Sequence, residues 1–370
     1  MTSVSPWFYF LNLTVDESEF RRWSMSVRWK FLIFFMTFSL APLLVVTLIG
    51  QRGIVRMGET ISSLAEKNRT EIVSRELQQT ATDYAKILGR EKKVLELTLR
   101  IIARDAELFL SEPPQGAAKV YFADDYNNPA KAPKDIEFSH KHIRGAAGEG
   151  TEPMVVSFGH QVFLVRPGAD WRYVATDIGR LRRLLPLHKE FEGQLRDILY
   201  WQYVSLESGV HAAYPGHGGY PSTYNPQSRP WYIRAREGGK SLWTRPYIDA
   251  TTRQVIMTVS TPVRHSDGSF AGVAAIDVLL SEVLQIHELS SQWSTAMRSF
   301  LVWSGVKEET GEYGHWIIAQ KDYVENAAAW SGAMGEERLA SSDVDSMELL
   351  EGEIQARQAG YIDMPYFGVD

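Results

Sequence analysis

The feature that most constrains this chain is an uncharged apolar stretch, FLIFFMTFSLAPLLVVTLIG, from Phe31 to Gly50. A helix needs about 20 consecutive apolar residues to cross roughly 30 Å of hydrocarbon, so the stretch predicts a membrane span at residues 31–50. More basic residues precede the span than follow it, which favours a cytoplasmic tail at residues 1–30. These are Arg21, Arg22, Arg28 and Lys30 before the span, and Arg52 and Arg56 after it.

A cleaved signal peptide is the alternative interpretation of the same stretch. The segment ahead of it is long for a signal peptide, the apolar run exceeds a usual hydrophobic core, and Pro42 lies inside the run. We therefore expect an uncleaved membrane anchor. This chain would cross the membrane once, and everything after Gln51 would be extracytoplasmic.

Residues 51–112 predict one long extracytoplasmic helix. No proline occurs between Ile54 and Phe109, and apolar residues recur there at helical spacing with charges on the other faces. The segment SEPPQG, from Ser111 to Gly116, ends the helix because proline cannot continue it and glycine releases the backbone. A helix of this length forms a stalk, the spine of an elongated module or part of a coiled coil. We expect it to join two copies of the chain in a homodimer.

The pattern then changes to short strand-like runs between loops rich in Gly, Pro, Asp and Asn. The runs are KVYFA from Lys119, MVVSF from Met154, QVFLV from Gln161 and RYVAT from Arg172. A helix is expected from Ile178 to Leu195 with an interruption at Pro186. A hairpin joins QVIMTVSTPV to FAGVAAIDVLL through an Asp267–Gly268 turn. Antiparallel strands with helices grouped on one side indicate the α+β class.

The strand pattern begins again after a helical linker at residues 281–293. Two further strands are expected in RSFLVWSG and HWIIAQKDY, which a polar turn separates. Residues 113–280 are therefore interpreted as one module, and residues 281–370 as a linker helix with a second, smaller module. The closing run YIDMPYFGVD has no helix after it, which indicates that the second module is incomplete in this chain.

Composition and motifs argue against several function classes. A formal net charge of −6 with scattered Lys and Arg gives no basic face for nucleic acid. The absence of cysteine excludes disulfides, thiolate metal sites and a cysteine nucleophile, and no nucleophile-elbow sequence supports a serine hydrolase. His211 and His217 form no close helical pair, so they are interpreted as surface histidines. We expect no enzymatic activity, no cofactor and no metal in these residues.

Three motifs in the first module carry a family resemblance. They are SRPWYIRA from Ser228, LWTRPYIDATT from Leu242, and the hairpin VIMTVSTPV with GVAAIDV. Together with a membrane helix, a long helix and two successive α+β modules, they resemble the double Cache sensor domain of bacterial transmembrane receptors. The resemblance extends from Ile54 to the end and is strongest from Gly209 to Leu280. It implies two PAS-like antiparallel-sheet modules and a cytoplasmic output domain of chemotaxis, kinase, cyclase or phosphatase type. It also implies an anchor in the inner (cytoplasmic) membrane, with the sensor region in the periplasm.

An amino-acid-binding subset of that family has a motif that this chain matches at seven positions. These are Tyr224, Arg229, Trp231, Tyr232, Tyr247, Asp249 and Asp277. Asn225 departs from the pattern, since many relatives have Asp there, and this change affects loop capping more than ligand chemistry. The resemblance implies that these seven residues bind a free L-amino acid in the membrane-distal module, residues 113–280.

The chemistry of a free amino acid fits these residue types independently of the resemblance. The ligand is a zwitterion, so its site must satisfy a carboxylate and an ammonium together. The planar fork of Arg229 donates two parallel hydrogen bonds to a carboxylate, and Asp249 and Asp277 accept from an ammonium. Tyr232 and Tyr247 supply aromatic walls that exclude water. Tyr224 and Trp231 are expected to frame the carboxylate end.

Other interpretations remain open. An amine would need the two aspartates but not Arg229, and an organic acid would need the reverse. A purely structural dimer module would need no ligand, and an extracytoplasmic enzyme would convert its ligand instead of releasing it. Each site residue also has a structural explanation when taken alone: Arg229 can stack on rings, and Asp277 can cap a turn.

Overall fold

The computed structural model describes residues 26–114, 119–145, 151–285, 300–306, 311–320, 337–341, 343–356 and 362. It divides the chain into two compact units, Met1–Leu77 and Gln78–Asp370. Most of the expected cytoplasmic tail, most of the linker at residues 281–293 and nearly all of YIDMPYFGVD lie outside the described residues. The predictions made for those segments therefore stay predictions.

Helix α1 runs from Val27 to Ser111 and contains both the apolar stretch and the long amphipathic segment, as the sequence predicts. Its first part is long and apolar enough to cross a membrane, and the side chains of that window are exposed. Its last part, from Leu95 to Leu110, buries one face in the second unit. The helix ends at Ser111, two residues before the first proline that was expected to stop it.

The second unit combines strands with shorter helices. Its described strands are β1 (Tyr121–Phe122), β2 (Glu137–Arg144), β3 (Glu152–Ser157), β4 (Val162–Val165), β5 (Trp201–Leu206), β6 (Val210–Tyr214), β7 (Gly216–His217), β8 (Leu242–Trp243), β9 (Tyr247–Ile248), β10 (Val255–Arg264), β11 (Phe270–Leu279), β12 (Phe300–Val306) and β13 (Tyr313–Gln320). The described helices after α1, apart from one four-residue turn at Ala123–Tyr126, are α2 (Trp171–Leu181), α3 (Leu185–Leu195), α4 (Pro230–Gly238), α5 (Leu280–Gln285) and α6 (Val344–Ala356).

The main sheet has the strand order β1-β4-β6-β5-β11-β10-β8, and β9 also pairs with β10. All of its pairs are antiparallel except β1 with β4. The hairpin of β10 and β11 is the one that the sequence predicts, and Gly268 in its turn has φ +84°, a conformation that favours glycine. A small sheet of β2, β3 and β7 lies beside it. The predicted α+β class is confirmed.

Alternation along the strands gives the main sheet two different buried faces. One face, here called the helix face, packs against α1, α2 and α3 through aliphatic side chains such as Leu99, Val204 and Val259. The opposite face, here called the site face, is aromatic and polar and packs against α4 and β3. Trp201, Tyr203, Trp231, Tyr232 and Ala275 belong to its buried cluster. Aromatic side chains are therefore concentrated on the site face.

The predicted strand at RYVAT is wrong, because these residues form the first turns of α2. The Asp170 side chain accepts a hydrogen bond from the Arg172 amide at 3.0 Å and caps the helix. Val174, Ile178 and Leu181 then recur at helical spacing and are buried. The predicted interruption at Pro186 is confirmed, since a short 3-10 turn ends one residue before α3 and the proline lies in the first turn of α3.

The two later strands, β12 and β13, pair antiparallel as the sequence predicts. They contact the first sheet through an apolar cluster, here called the junction cluster. Its buried members are Val255, Leu280, Ile317 and Leu339, with Ile248, Met257, Phe300, Leu301, Val302 and Leu350 packed around them. The boundary between the two modules at residue 280, like the other predicted domain limits, stays a prediction.

Candidate functional site

The candidate site is built around Asp277, on the site face of β11. Asp277 is only 3% exposed. Its register partner on β10 is Thr258, and its partner on β5 is Trp201. Positions two residues apart on these strands share a face, so Tyr203 and Thr258 point to the same side as Asp277. A carboxylate is thus placed in the middle of a sheet, with hydroxyl-bearing neighbours on both adjacent strands.

Both hydrogen bonds to the Asp277 side chain fall on the same oxygen, Oδ1. The Tyr203 hydroxyl donates to it at 2.7 Å and the Thr258 hydroxyl at 2.5 Å. Burial raises the pKa of Asp277 to about 8, and the nearby charge of Asp249 adds to the rise. The two hydroxyl donors and the Arg229 charge oppose it. The second oxygen, Oδ2, accepts no hydrogen bond from the described residues and is available to a ligand.

Arg229 is positioned by the turn that precedes α4. The Asn225 side chain accepts from the Gln227 amide at 3.1 Å and starts a 3-10 turn at Pro226–Ser228, so Asn225 caps the loop. Arg229 follows with extended backbone angles and precedes Pro230, the first residue of α4. Its Nη2 donates to the Ile248 carbonyl oxygen at 3.1 Å. Most donors of the guanidinium remain free for a carboxylate.

Tyr247 connects Arg229 to Asp277. The Arg229 guanidinium carbon lies 5.2 Å from the centre of the Tyr247 ring, within the range of a cation–π contact. The hydroxyls of Tyr247 and Thr258 are 2.6 Å apart, and Thr258 donates onward to Asp277. The predicted aromatic wall is thus joined to the carboxylate by hydrogen bonds.

Asp249 follows β9 directly and is 8% exposed. Its Oδ2 accepts from both the amide and the hydroxyl of Thr252, at 2.8 and 2.6 Å, which fixes the carboxylate in a tight turn. Its charge is among the causes that raise the pKa of Asp277 and of Tyr224. The two aspartates are therefore close enough for the charge of Asp249 to affect Asp277; their role in binding stays a prediction.

The opposite charges of this site do not pair with one another. Arg229, Asp249 and Asp277 are all among the described residues, and no N–O distance of 4.0 Å or less joins the arginine to either aspartate. The Arg229 charge still acts on Asp277, because it lowers the pKa of that carboxyl. The arrangement holds a half-buried cation apart from two buried carboxyl groups.

Tyr224 and Trp231 lie close to this group. Burial raises the pKa of Tyr224, and the charges of Asp249, Arg229 and Asp277 all act on it. Trp231 is buried with its ring edge-on to Tyr203, at 4.8 Å between centroids. Trp231 thus supports a residue that hydrogen-bonds to Asp277. No described hydrogen bond joins its indole nitrogen to the site.

Tyr232 is the one predicted site residue whose contacts point elsewhere. Its hydroxyl donates to Glu207 Oε1 at 2.7 Å, in the turn between β5 and β6. The charges that act on its pKa come from Glu207 and Arg236, not from the two aspartates. Tyr232 follows Trp231 on α4, and successive helix positions project about 100° apart, so both cannot face the same group. Its predicted role as a wall of the site stays a prediction.

Sequence reasoning missed two hydroxyl donors and misjudged two histidines. Tyr203 and Thr258 carry no local motif; only the register of β5, β10 and β11 brings them to Asp277. His211 and His217 are each 2% exposed, so their interpretation as surface residues is wrong. Burial lowers the pKa of His211 to about 3, and also lowers the pKa of His217. Both rings therefore pack as neutral groups.

These histidines belong to an aromatic wall beside Tyr224. The His217 ring stacks on Tyr220 at 4.5 Å, and its Nε2 is 2.8 Å from the Tyr220 hydroxyl. Tyr220 and Tyr224 are 5.1 Å apart between ring centroids. The wall is uncharged.

Comparison with protein families identifies the segment that contains these residues. Residues 196–285 match the family described as methyl-accepting chemotaxis protein-like, first PDC sensor domain. All seven predicted site residues fall within this segment. The match covers a minority of the chain, and it supports a sensor role for the part that carries the candidate site.

The curated relatives are also similar to this chain over short segments. The methyl-accepting chemotaxis protein PscA of Pseudomonas syringae pv. tomato is 36% identical over 84 residues, which are 23% of this chain and 13% of PscA. McpB of Bacillus subtilis is 34% identical over 96 residues, 23% of this chain and 14% of McpB. PctB of Pseudomonas aeruginosa is 31% identical over 84 residues, 23% and 13% of the two chains. The similar segments are thus a small part of each relative.

Solved structures give weaker similarity. The ligand-binding domain of P. aeruginosa PctB in complex with L-Arg is 25% identical, with a TM-score of 0.29, and the alignment covers 36% of this chain and 47% of that chain. The ligand-binding domain of P. aeruginosa PctC in complex with GABA is 27% identical, with a TM-score of 0.28, over 39% and 61%. These scores are too low to support a statement about the overall fold.

Proposed function

We propose that this chain is the sensor region of a bacterial transmembrane receptor, and that it binds a free L-amino acid between Arg229 and the carboxylates of Asp249 and Asp277. The proposed organisation is that of a double Cache sensor, with the ligand site in residues 113–280 and a second module after it. The output domain would follow beyond residue 370. The match of residues 196–285 to a chemoreceptor sensor family supports the sensor role.

One observation carries the proposal: a half-buried arginine and two buried carboxyl groups share a site without pairing. A buried ion that lacks a partner is costly, and a protein normally removes that cost by forming an ion pair. Here burial instead raises the pKa of Asp277 to about 8, and the Arg229 side chain donates one hydrogen bond among the described residues, to the Ile248 carbonyl oxygen. A zwitterion supplies both missing partners at once. An ammonium would fill the free Oδ2 of Asp277, and a carboxylate would take the free donors of Arg229.

The same geometry gives each group a defined task. Arg229 would donate two parallel hydrogen bonds to the ligand carboxylate. Asp277 and Asp249 would accept from its three ammonium hydrogens, and Asp277 would lose its proton as the cation arrives. Tyr203 and Thr258 would hold the Asp277 carboxylate in place. Because the wall beside Tyr224 is uncharged, we expect ligands with uncharged side chains to be preferred.

The conformational effect of ligand binding would be transmitted to the second module through β9. The Ile248 carbonyl accepts from Arg229, while the Ile248 side chain packs against the junction cluster. Next to it, the Arg245 guanidinium lies 5.4 Å from the Trp303 ring of β12. A shift of Arg229 would therefore move a strand that contacts both modules. Such coupling requires that the ligand bind one of two conformations more tightly than the other.

The proposed homodimer would use an exposed face of α1. Ile87, Val94, Ile101 and Leu108 recur every seven residues and remain exposed, as does Leu97. A seven-residue apolar repeat is the pattern that pairs two helices in a coiled coil. A second copy of α1 is the partner that fits such a face.

A thermal-shift screen of the full chain in nanodiscs tests the proposal. The panel contains the common amino acids, polyamines and organic acids. A ligand at about 100 times its dissociation constant stabilises the protein by about 2.7 kcal/mol, which is a visible shift. We expect amino acids to raise the melting temperature of the natural chain but not of Arg229→Gln or Asp277→Asn.

Other outcomes favour the alternatives. Stabilisation by amines that survives Arg229→Gln would indicate an amine sensor. Stabilisation by organic acids that survives Asp277→Asn would indicate an acid sensor. A well-folded sample that responds to nothing in the panel would contradict the proposal and favour a structural dimer module. Chemical conversion of a bound ligand would indicate an enzyme.

A further inference from the structure

A cavity of about 720 Å³ lies against the main sheet. Met257 and Val278 line it from the helix face. These residues are sequence neighbours of Thr258 and Asp277, and successive strand residues point to opposite faces, so at these positions the sheet lies between the cavity and the proposed amino-acid site. Leu279 of the site face and Arg234 of α4 also line the cavity. Its volume falls within the roughly 300–1,000 Å³ that is usual for small-molecule sites.

Three parts of the second unit form its walls. Leu88 and Leu95 come from α1, Met257 and Val278 from the main sheet, and Leu301 and Trp303 from β12. These apolar side chains make up the body of the cavity. A molecule bound there would contact α1, the first sheet and the β12–β13 hairpin at the same time.

Carboxylates border the cavity in surroundings that disfavour their charge. Glu282 lies 3.2 Å from Lys141, yet burial raises its pKa, and the charges of Asp197 and Glu192 contribute. Asp197 also lines the cavity. Burial raises the pKa of Glu91 on α1 as well, and Glu91 forms no ion pair with another described residue. A cation placed beside these groups would relieve the unfavourable charge.

Cations line the cavity too. Lys92 is 3.8 Å from Glu96, and Arg245 lies over the Trp303 ring. Arg234 likewise is not without an interaction partner. The basic groups therefore have protein partners, whereas Glu91 has none among the described residues. Charge complementarity favours a ligand that brings a positive charge.

We propose that this cavity is a second ligand site, for a small apolar molecule with a primary amine. The apolar part of the ligand fills the space between Leu95, Met257 and Trp303. Its ammonium group binds Glu91 and Glu282. The site is independent of the amino-acid site, and either can exist without the other.

Gly89 gives a direct way to fill the cavity without disturbing the fold. It lines the cavity, and a Cβ built on it meets nothing within 4 Å. Leucine is also a better helix former than glycine, so Gly89→Leu should fold normally. Gly58 is a matched control, because it lies in α1, has the same open surroundings and does not line the cavity.

The experiment measures binding of 4-phenylbutylamine to the full chain in nanodiscs by isothermal titration calorimetry. Its controls are 4-phenylbutyrate and 4-phenylbutanol, which share the apolar part but carry the opposite charge or none. We expect saturable binding of one amine per chain, unchanged in Gly58→Leu and Asp277→Asn. Affinity should fall about tenfold or more in Gly89→Leu, which fills the site, and in Glu282→Gln, which removes a charged partner.

Three results would overturn the proposal. Absence of saturable amine binding at millimolar concentration removes the site. Equal binding of the amine and of 4-phenylbutyrate removes its charge preference. Loss of binding in Asp277→Asn assigns the amine to the amino-acid site instead. If Gly89→Leu fails to fold, unchanged affinity in a folded Glu282→Gln variant still contradicts the proposal.

Discussion

Replacement of Asp277 by Asn should stabilise the ligand-free protein while abolishing its response to amino acids. The pKa of Asp277 is raised from an ordinary 3.8 to about 8, mainly by burial. At pH values between 3.8 and about 8, Asp277 therefore keeps its proton in the folded chain and has lost it in the unfolded chain. Stability therefore falls as pH rises through this window, and no further loss occurs above the folded-state pKa. Asn cannot titrate, so the variant escapes this loss.

The magnitude follows from linkage. One proton of difference changes the free energy of unfolding by about 1.4 kcal/mol per pH unit. Between pH 5 and pH 7 the advantage of Asp277→Asn over the natural chain should grow by about 3 kcal/mol. Asn has nearly the same shape as Asp, and its side-chain oxygen can accept hydrogen bonds from Tyr203 and Thr258 as Asp277 Oδ1 does.

The assay is chemical denaturation of both chains at pH 5, 6 and 7 without ligand, following tryptophan fluorescence. Asp267→Asn is the matched control. Asp267 is fully exposed, and hydrogen bonds from Ser269 lower its pKa, so it should give no such gain in this pH range. A difference between Asp277→Asn and the natural chain that stays constant with pH would refute the reasoning.

Further predictions concern binding. Arg229→Lys should weaken amino-acid binding by about 1.5–3 kcal/mol, the usual contribution of a hydrogen bond to a charged group, because lysine keeps the charge but cannot donate two parallel hydrogen bonds. Unchanged affinity in calorimetry would exclude Arg229 from the site. Amino-acid affinity should rise about tenfold from pH 6 to pH 7, because Asp277 must lose its proton before the ligand binds. Calorimetric titration in two buffers of different ionisation enthalpy should show that a proton is released on binding. Absence of proton release would contradict the role of Asp277. Gln227 donates to the carbonyl oxygens of Leu206 and Glu207, at 3.0 and 3.3 Å, and anchors the loop that carries Arg229. Gln227→Leu should therefore weaken binding of amino acids more than binding of simple amines. Equal weakening of both in calorimetry would argue against that role. The chain should sediment as a dimer through α1, and a monomer at high concentration would argue against it.

Patterns that are local and repetitive could be predicted from the sequence. The 85-residue helix α1 follows from an unbroken helical period that ends before a proline pair. The β10–β11 hairpin follows from two apolar runs and one Asp-Gly turn. RYVAT was mistaken for a strand, because its residues favour strands locally. The helix is fixed instead by a cap at Asp170 and by burial of Val174 and Ile178, one helical turn apart.

The site was only partly predictable for a similar reason. Arg229, Tyr247 and Asp249 lie close together in the sequence and in a recognisable order. Tyr203 and Thr258 become partners of Asp277 only when strands distant in sequence take their register. The direction in which Tyr232 points depends on where α4 packs. The burial of His211 likewise follows from its place on a central strand, which no local pattern specifies.

The measurement that tests the central claim most directly is a calorimetric comparison of three related ligands on the full chain at pH 7. The ligands are an amino acid that stabilises the protein, the amine that lacks its carboxylate, and the acid that lacks its ammonium. If Arg229 and Asp277 hold opposite ends of a zwitterion, only the amino acid binds tightly, and its binding releases a proton. Equal affinity for the amine or for the acid would show that one end of the site is not used, and would contradict the account.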